Sequence, residues 1–169
     1  SMYRKERANM EKPFIYLDNC CFNRPYDDQS QIRISLETQA KLFIQHHIKQ
    51  RKYVLAWSFM LTAENDDNPY GERKQEILKW AKIAEIIVKP EETILRHAQK
   101  LQQEFTIRGK DAFHIACALK AGCDYFLTTD DKLIKKTRHL GGLIVINPVH
   151  FVELMEDADD DKNGNPDTI

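Results

Sequence analysis

Short apolar runs alternate with longer stretches of mixed polarity along this chain. The runs are bounded by turn residues, which is typical of buried strands, and they cover residues 14–17, 53–57, 86–88, 125–128 and 143–146. The mixed stretches repeat apolar residues at helical spacing and predict helices at residues 30–49, 58–64, 70–84, 91–105, 110–121 and 130–139. Residues 23–30 are polar and predict a loop. Strands that alternate with helices predict an α/β fold, with a parallel sheet covered on both faces.

The length and composition of the chain suit one globular domain. It has 169 residues, of which 42% are hydrophobic and 30% charged, and this is enough for a single core. No apolar run approaches the ~20 residues of a membrane helix. The N-terminus lacks the apolar segment of a secretory signal, and the four cysteines lack metal-ligand spacing. We therefore expect a cytoplasmic protein with no membrane segment, formed by one domain at residues 1–156 and an acidic flexible tail at residues 157–169.

The formal net charge of -1 conceals an uneven distribution. Residues 153–169 contain seven acids and one base. The whole chain has 26 acids and 25 bases, so 19 acids and 24 bases remain in residues 1–152, a formal charge of +5. A mildly basic body is compatible with a polyanionic partner.

Four acidic residues lie at or near the carboxyl ends of predicted strands. Asp18 directly follows the first strand, and Glu64 lies within about two helical turns of the second. Asp111 opens the helix before the fourth strand, and Asp130 follows that strand with Asp131 beside it. Ligands of open parallel sheets bind beyond the carboxyl ends of the strands. We therefore expect these acids to meet at one edge of the sheet.

Neighbouring carboxylates need compensation, because like charges raise each other's pKa. A hard divalent cation provides it, and Mg²⁺ prefers carboxylate and water oxygens as ligands. Such an ion also lowers the pKa of a bound water and stabilises charge on a phosphodiester. The acid pattern therefore indicates the chemistry of a metal-dependent nuclease.

The segments around the acids also resemble the motifs of a known family. Residues 14–21 place an acid directly after an apolar strand, residues 109–118 read GKDAFHIACA, and residues 121–130 end in Thr-Thr-Asp. These segments resemble the first-acid strand, the third-acid helix and the fourth-acid motif of PIN-domain ribonucleases. Residues 59–64 match the position of the family's second acid, Glu64, but are the least diagnostic. The resemblance covers about residues 14–152.

The resemblance implies a three-layer α/β/α sandwich with a central parallel sheet. It also implies endoribonuclease activity that depends on Mg²⁺ or Mn²⁺, in which a metal-activated water cleaves RNA. By this resemblance, four acids are expected to be both catalytic and metal-binding, namely Asp18, Glu64, Asp111 and Asp130. Many members are toxins of toxin–antitoxin pairs, so a small antitoxin partner and a homodimer are implied as well.

Further residues are expected to support this site. Asn19 stands where many relatives have a small hydroxyl residue and is the candidate to hold a water, while Thr128 belongs to the fourth-acid motif. Asp131 either supports the site or is simply the first residue of the following helix. Arg24 follows soon after Asp18 and is a candidate contact for RNA phosphate, although arginines are common in surface loops.

Each of the four acids also has an ordinary structural interpretation. Asp18 is typical of a turn and Asp130 of a helix N-cap. Asp111 suits the start of a helix dipole, and Glu64 could be one more solvated charge. Their common position inside matching motifs favours metal binding, most strongly for the three aspartates.

Two other polar residues are interpreted as structural. Glu37 is a candidate fifth acid of the site, but Arg33 and Lys41 lie four residues to either side of it, which favours an exposed ladder of charges on a helix. His114 lies one helical turn after Asp111 inside an apolar stretch, and we interpret it as a packed, hydrogen-bonded histidine.

Two other functions remain open. Phosphoryl transfer of the haloacid-dehalogenase or receiver type also uses acidic sheet edges, but the first of these needs two acids one residue apart, and here those positions are Asp18 and Cys20. A non-catalytic PIN-like module that binds RNA or protein is the other alternative, and the presence of all four acids argues against it.

Overall fold

The structure is a computed structural model that describes residues 12–162. Its strands are β1 (Phe14–Leu17), β2 (Val54–Ser58), β3 (Ile86–Val88), β4 (Tyr125–Leu127) and β5 (Ile144–Ile146). Its helices are α1 (Asn19–Asn23), α2 (Ile32–Lys49), α3 (Phe59–Asp66), α4 (Gly71–Ile83), α5 (Glu92–Phe105), α6 (Gly109–Ala121), α7 (Asp131–Lys136) and α8 (Pro148–Lys162). A short 3-10 turn occupies Arg24–Tyr26.

The strands form one parallel sheet in the order β3-β2-β1-β4-β5. The predicted α/β fold is therefore confirmed. Strand β1 lies in the middle, with Ile15 opposite Leu55 of β2 and Tyr125 of β4. Because all strands run the same way, the segments that follow β1, β2 and β4 meet at one edge of the sheet. This edge holds the candidate site.

The core is built on the central strands, whose side chains are buried on both faces. All four residues of β1 are fully buried. Tyr16 stacks on Phe126 of β4 at 5.2 Å between ring centroids, and Phe22 meets Trp57 of β2 edge-on at 5.5 Å. Burial of a large apolar side chain contributes on the order of 1.5–3 kcal/mol to the free energy of unfolding. This packing therefore stabilises the strands that carry the site.

The polar stretch after β1 is more ordered than the predicted loop. Asp18 accepts a hydrogen bond from the backbone N–H of Asn19 at 2.8 Å and caps α1, which the sequence interpretation missed. The 3-10 turn follows directly, with Pro25 in its first turn.

The last helix was not among the predicted elements. Helix α8 is anchored by buried Phe151 and capped by Asn147, whose Oδ1 accepts from the backbone N–H of Val149 at 2.9 Å. It continues through residues 157–162, the first part of the predicted flexible tail. Residues 163–169 lie outside the described range. Within residues 12–162, no helix has the length and apolar character needed to cross a membrane.

Candidate active site

Asp18 and Thr128 meet where adjacent strands end. The Thr128 hydroxyl donates to Asp18 Oδ2 at 2.9 Å, and the Asp18 backbone N–H donates to the carbonyl of Leu127 at 2.9 Å. Burial raises the pKa of Asp18, and the nearby charge of Glu64 adds to this, while His114 and Thr128 oppose it. The Asp18 carboxylate is thus held in place but is costly to ionise.

Asp130 is tied to the same threonine. Its backbone N–H donates to the Thr128 hydroxyl at 3.2 Å. Its Oδ1 accepts from the backbone N–H groups of Lys132 at 3.0 Å and Leu133 at 3.2 Å, and so caps α7. Asp130 is therefore a helix N-cap through Oδ1, as the structural interpretation of its position in the sequence predicted. One buried side chain therefore connects the first and fourth acids.

Asp111 is an acid of the site whose pKa is clearly raised. It lies half-buried in the first turn of α6. Burial raises its pKa to about 6, and the carboxylates of Asp18 and Asp130 contribute to this shift. None of the side-chain hydrogen bonds among the described residues involves the Asp111 carboxylate. Negative charge at this edge is therefore incompletely compensated by the protein.

By contrast, the negative charge of Glu64 on α3 is compensated by a neighbouring side chain. His114 Nε2 lies 2.5 Å from Glu64 Oε1. Burial opposes ionisation of Glu64, but the hydrogen bond and charge of His114 outweigh it, with help from Lys110 and Asn19, so the pKa of Glu64 is lowered. Asn19 in turn accepts a hydrogen bond from the Asn23 side chain at 3.2 Å. The predicted supporting residue Asn19 therefore lies beside the second acid.

The four acids share one edge without forming a finished metal site. In the part of the chain that the structure describes, no three His, Cys, Asp or Glu side chains are arranged to hold a metal ion together. Both oxygens of Asp18, and at least one oxygen each of Glu64 and Asp130, accept hydrogen bonds from protein groups. Carboxylate oxygens nevertheless suit a hard cation, and the raised pKa of Asp111 marks charge that a cation would relieve. The chemistry of these side chains suits Mg²⁺ or Mn²⁺, and the residues that would hold such an ion are Asp18, Glu64, Asp111 and Asp130.

The prediction that Glu37 belongs to an exposed ladder of charges is wrong. Its side chain is 1% exposed. Arg24 Nη2 lies 2.9 Å from Oε1, and Asn147 donates to Oε2 at 2.5 Å. The i,i+4 pair with Arg33 does form, at 3.4 Å, but Lys41 lies over the ring of Phe22 instead. Glu37 faces inward because cationic and amide donors from other elements surround it.

Arg24 and Asp131 are both engaged in ion pairs. Arg24 binds Glu37 and also Asp27, at 3.1 Å. Asp131 is the first residue of α7, has a side chain 65% exposed, and is bound through both oxygens by Arg33 at 2.6 and 2.7 Å. The structure thus directs Asp131 toward Arg33, and it places Arg24 in a network beside the acid edge.

His114 is the residue of this site that the sequence interpretation set aside. Its side chain is 1% exposed and hydrogen-bonded, which confirms the interpretation as a packed histidine. Its partner, however, is a candidate metal ligand. The available signal was its spacing: three residues after Asp111, it lies one turn further along the same helix.

A parallel sheet with acids at its carboxyl edge defines an α/β protein whose site lies at the strand ends. The family model of the PIN domain matches residues 15–140. This is well over half of the chain, which therefore belongs to the PIN-domain family. A chain of the crystal structure of VapBC2 from Rickettsia felis, bound to a DNA fragment from its promoter, is similar in fold. Its TM-score is 0.50 at 16% identity, over 79% of this chain and 98% of that chain. No curated protein matches this sequence significantly.

Proposed function

We propose that this protein is a divalent-metal-dependent endoribonuclease that cleaves RNA phosphodiester bonds with a metal-activated water. Membership of the PIN-domain family supports this class of activity. The observation that carries the proposal is the gathering of acids at one edge of the sheet: Thr128 holds Asp18 beside Asp130, and the charges of both, together with burial, raise the pKa of Asp111. Carboxylates this close, with no side-chain hydrogen bond to Asp111 among the described residues, suit a hard cation.

The residues divide into ligands and the groups that hold them. Asp18, Glu64, Asp111 and Asp130 are the proposed ligands of Mg²⁺ or Mn²⁺. When bound, the cation supplies a lowered water pKa and charge stabilisation at the scissile phosphate. Thr128 orients Asp18 and the backbone of Asp130 through one hydroxyl. This arrangement fixes the carboxylates before substrate arrives, which reduces the reorganisation that the reaction requires.

The proposed partners follow from family membership and charge. RNA is the proposed substrate, and residues 1–152 carry a formal charge of +5 that suits a polyanion. The similar fold was solved as a VapBC2 complex. We therefore include a toxin role in the proposal, with a small antitoxin protein as partner and a homodimer as the assembly.

The test is cleavage of end-labelled structured and unstructured RNAs with Mg²⁺ or Mn²⁺ and with EDTA. The wild-type protein should cleave only with metal, and Asp18→Asn and Asp111→Asn should each lower the rate by at least about 100-fold. Asp131→Asn is the matched control, because that neighbouring acid is bound to Arg33 and should leave cleavage unchanged.

Two results would contradict the proposal. Cleavage that persists in EDTA would exclude a divalent cation, and full activity of the Asp18→Asn protein would remove the acid site. RNA binding without cleavage, combined with no heat of Mn²⁺ binding in calorimetry, would instead indicate the non-catalytic module.

A further inference from the structure

A chain of buried hydrogen bonds runs from the middle of the sheet to the candidate site. Ser58 Oγ lies 2.6 Å from Tyr16 Oη, and Tyr16 Oη lies 2.6 Å from His114 Nδ1. His114 Nε2 completes the chain at Glu64 Oε1. These residues come from β2, β1, α6 and α3 in turn. The chain therefore links the central strands to a single acid of the edge.

The direction of the hydrogen bonds follows from the chemistry of the two ends. An ionised carboxylate only accepts, so the proton between His114 and Glu64 belongs to Nε2. The phenol keeps its proton because burial raises the pKa of Tyr16 well above its ordinary value. Tyr16 donates to Nδ1 if the imidazole is neutral, and accepts from Nδ1 and donates to Ser58 if the ring is charged. In both cases the two ring nitrogens are used, which leaves His114 no lone pair for a metal.

We propose that His114 is a positioning residue that fixes Glu64 as a ligand, an inference that rests on the proposed metal-dependent function. Glu64 has three side-chain torsions and lies on a helix of eight residues. The bond from His114 holds Oε1, and Asn19 is a second side-chain donor to the same carboxylate, so the orientation of Glu64 is set by its neighbours. Groups that orient metal ligands in this way commonly change metal affinity or activity by about 10–100-fold when removed.

The surroundings of His114 distinguish this role from simple packing. A buried histidine that only fills space is satisfied by any acceptor, such as a backbone carbonyl. Both partners of His114 are side chains, and Tyr16 is itself locked by stacking on Phe126. The ring plane is therefore set from the core, and it sets the orientation of Glu64 in turn.

Three substitutions of His114 distinguish the loss of its N–H donor from the loss of its ring volume. His114→Gln keeps an amide N–H that reaches Glu64, whereas His114→Asn keeps a polar group near Tyr16 but stops short of Glu64. His114→Leu removes both. Circular dichroism and thermal melts establish that each variant folds, and the asparagine variant decides the question if the leucine variant does not fold.

The measured quantities are the affinity for Mn²⁺ alone by calorimetry, the electron paramagnetic resonance spectrum of bound Mn²⁺, and RNA cleavage. We expect His114→Leu and His114→Asn to weaken Mn²⁺ binding about 10–100-fold, and His114→Gln to restore most of it. At saturating Mn²⁺ the KM for RNA should change little.

Each outcome decides the inference. If wild type binds Mn²⁺ and all three folded variants bind it equally, the inference about His114 fails while the proposed function stands. The inference also fails if the glutamine and asparagine variants lose affinity equally, because the ring would then act by packing. If wild type binds no Mn²⁺, the proposed function fails first, and the role of His114 fails with it.

Discussion

Thr128 donates its hydroxyl proton to Asp18 across 110 residues of sequence, at 2.9 Å and in a buried position. The same hydroxyl oxygen accepts the backbone N–H of Asp130. Parallel pairing of β1 with β4 makes this possible, because it brings the ends of two strands that are distant in sequence side by side. One threonine thus couples two of the four acids.

Replacement of Thr128 by valine should therefore both destabilise the protein and weaken its metal site. The variant keeps the shape of the side chain but removes the hydroxyl donor of Asp18 and leaves only the weaker Cys20 thiol at 3.5 Å. Loss of a buried hydrogen bond to a charged group costs about 1.5–3 kcal/mol. Urea denaturation with EDTA measures the change. Thr129→Val is the control, because the contacts of Thr129 with Arg33 and Cys20 come from backbone atoms. Equal stability of the two variants would contradict the assignment.

Asp111 predicts how stability depends on pH in the absence of metal. Its pKa is raised from an ordinary value of 3.8 to about 6, so between these values the folded state holds a proton that the unfolded state has lost. Asp111 should therefore contribute a loss of stability as the pH rises from about 4 to about 6, and the raised pKa of Asp18 acts with the same sign. Carboxyls with a lowered pKa, such as Glu64, act with the opposite sign, so the contribution of Asp111 is the difference between wild type and Asp111→Asn. That variant should be more stable than wild type at pH 7, by a margin that grows between about pH 4 and about pH 6.

Urea titrations at a series of pH values, in EDTA, measure that difference directly. Addition of Mn²⁺ should stabilise wild type more at pH 7 than at pH 5, because the cation competes with the proton. Asp131→Asn should not reproduce this difference, since Arg33 lowers the pKa of Asp131 and loss of that carboxyl acts with the opposite sign. A difference between wild type and Asp111→Asn that stays constant from pH 4 to 6 would show that Asp111 is not ionised at such a cost.

Local sequence patterns were sufficient to predict the strands and the chain positions of the acids. Strand β3 lies at the predicted residues 86–88, and β2 is displaced by only one residue. Short apolar runs between turn residues are a local signal, so such strands can be predicted without knowledge of the tertiary structure. The acids were found because strand ends are themselves readable in the sequence, and parallel topology then places those ends together.

The polar network beside the acids could not be predicted in this way. Glu37 is buried because Asn147, 110 residues away, supplies an amide donor and because the 3-10 turn brings Arg24 to it. The i,i+4 spacing of Glu37 and Arg33 occurs in exposed and in buried pairs alike, so the spacing does not indicate burial. Likewise, the bond between His114 and Glu64 spans 50 residues, so their pairing depends on how α3 and α6 pack.

Glu37→Gln should lower stability by about 2–3 kcal/mol. The carboxylate is 1% exposed, but its partners Arg24 and Arg33 are 21% and 53% exposed and can regain water. The loss is therefore expected below that of a fully buried ion pair. Urea denaturation measures it, with Glu76→Gln as the control, since Glu76 pairs with Lys79 on an exposed helix face and its loss should have no measurable effect. A Glu37→Gln protein as stable as wild type would mean that the network contributes specificity alone.

Asp130 and Asp131 allow the sharpest comparison, because they are adjacent in sequence and differ in partner. Asparagine is as good an N-cap as aspartate, so Asp130→Asn should keep α7 and the fold while removing a ligand charge. Its affinity for Mn²⁺, measured by calorimetry, should fall at least about tenfold. Asp131→Asn breaks only the pair with Arg33 and should bind Mn²⁺ as wild type does. Equal loss in both variants would mean that net charge at this edge, rather than Asp130 itself, attracts the cation.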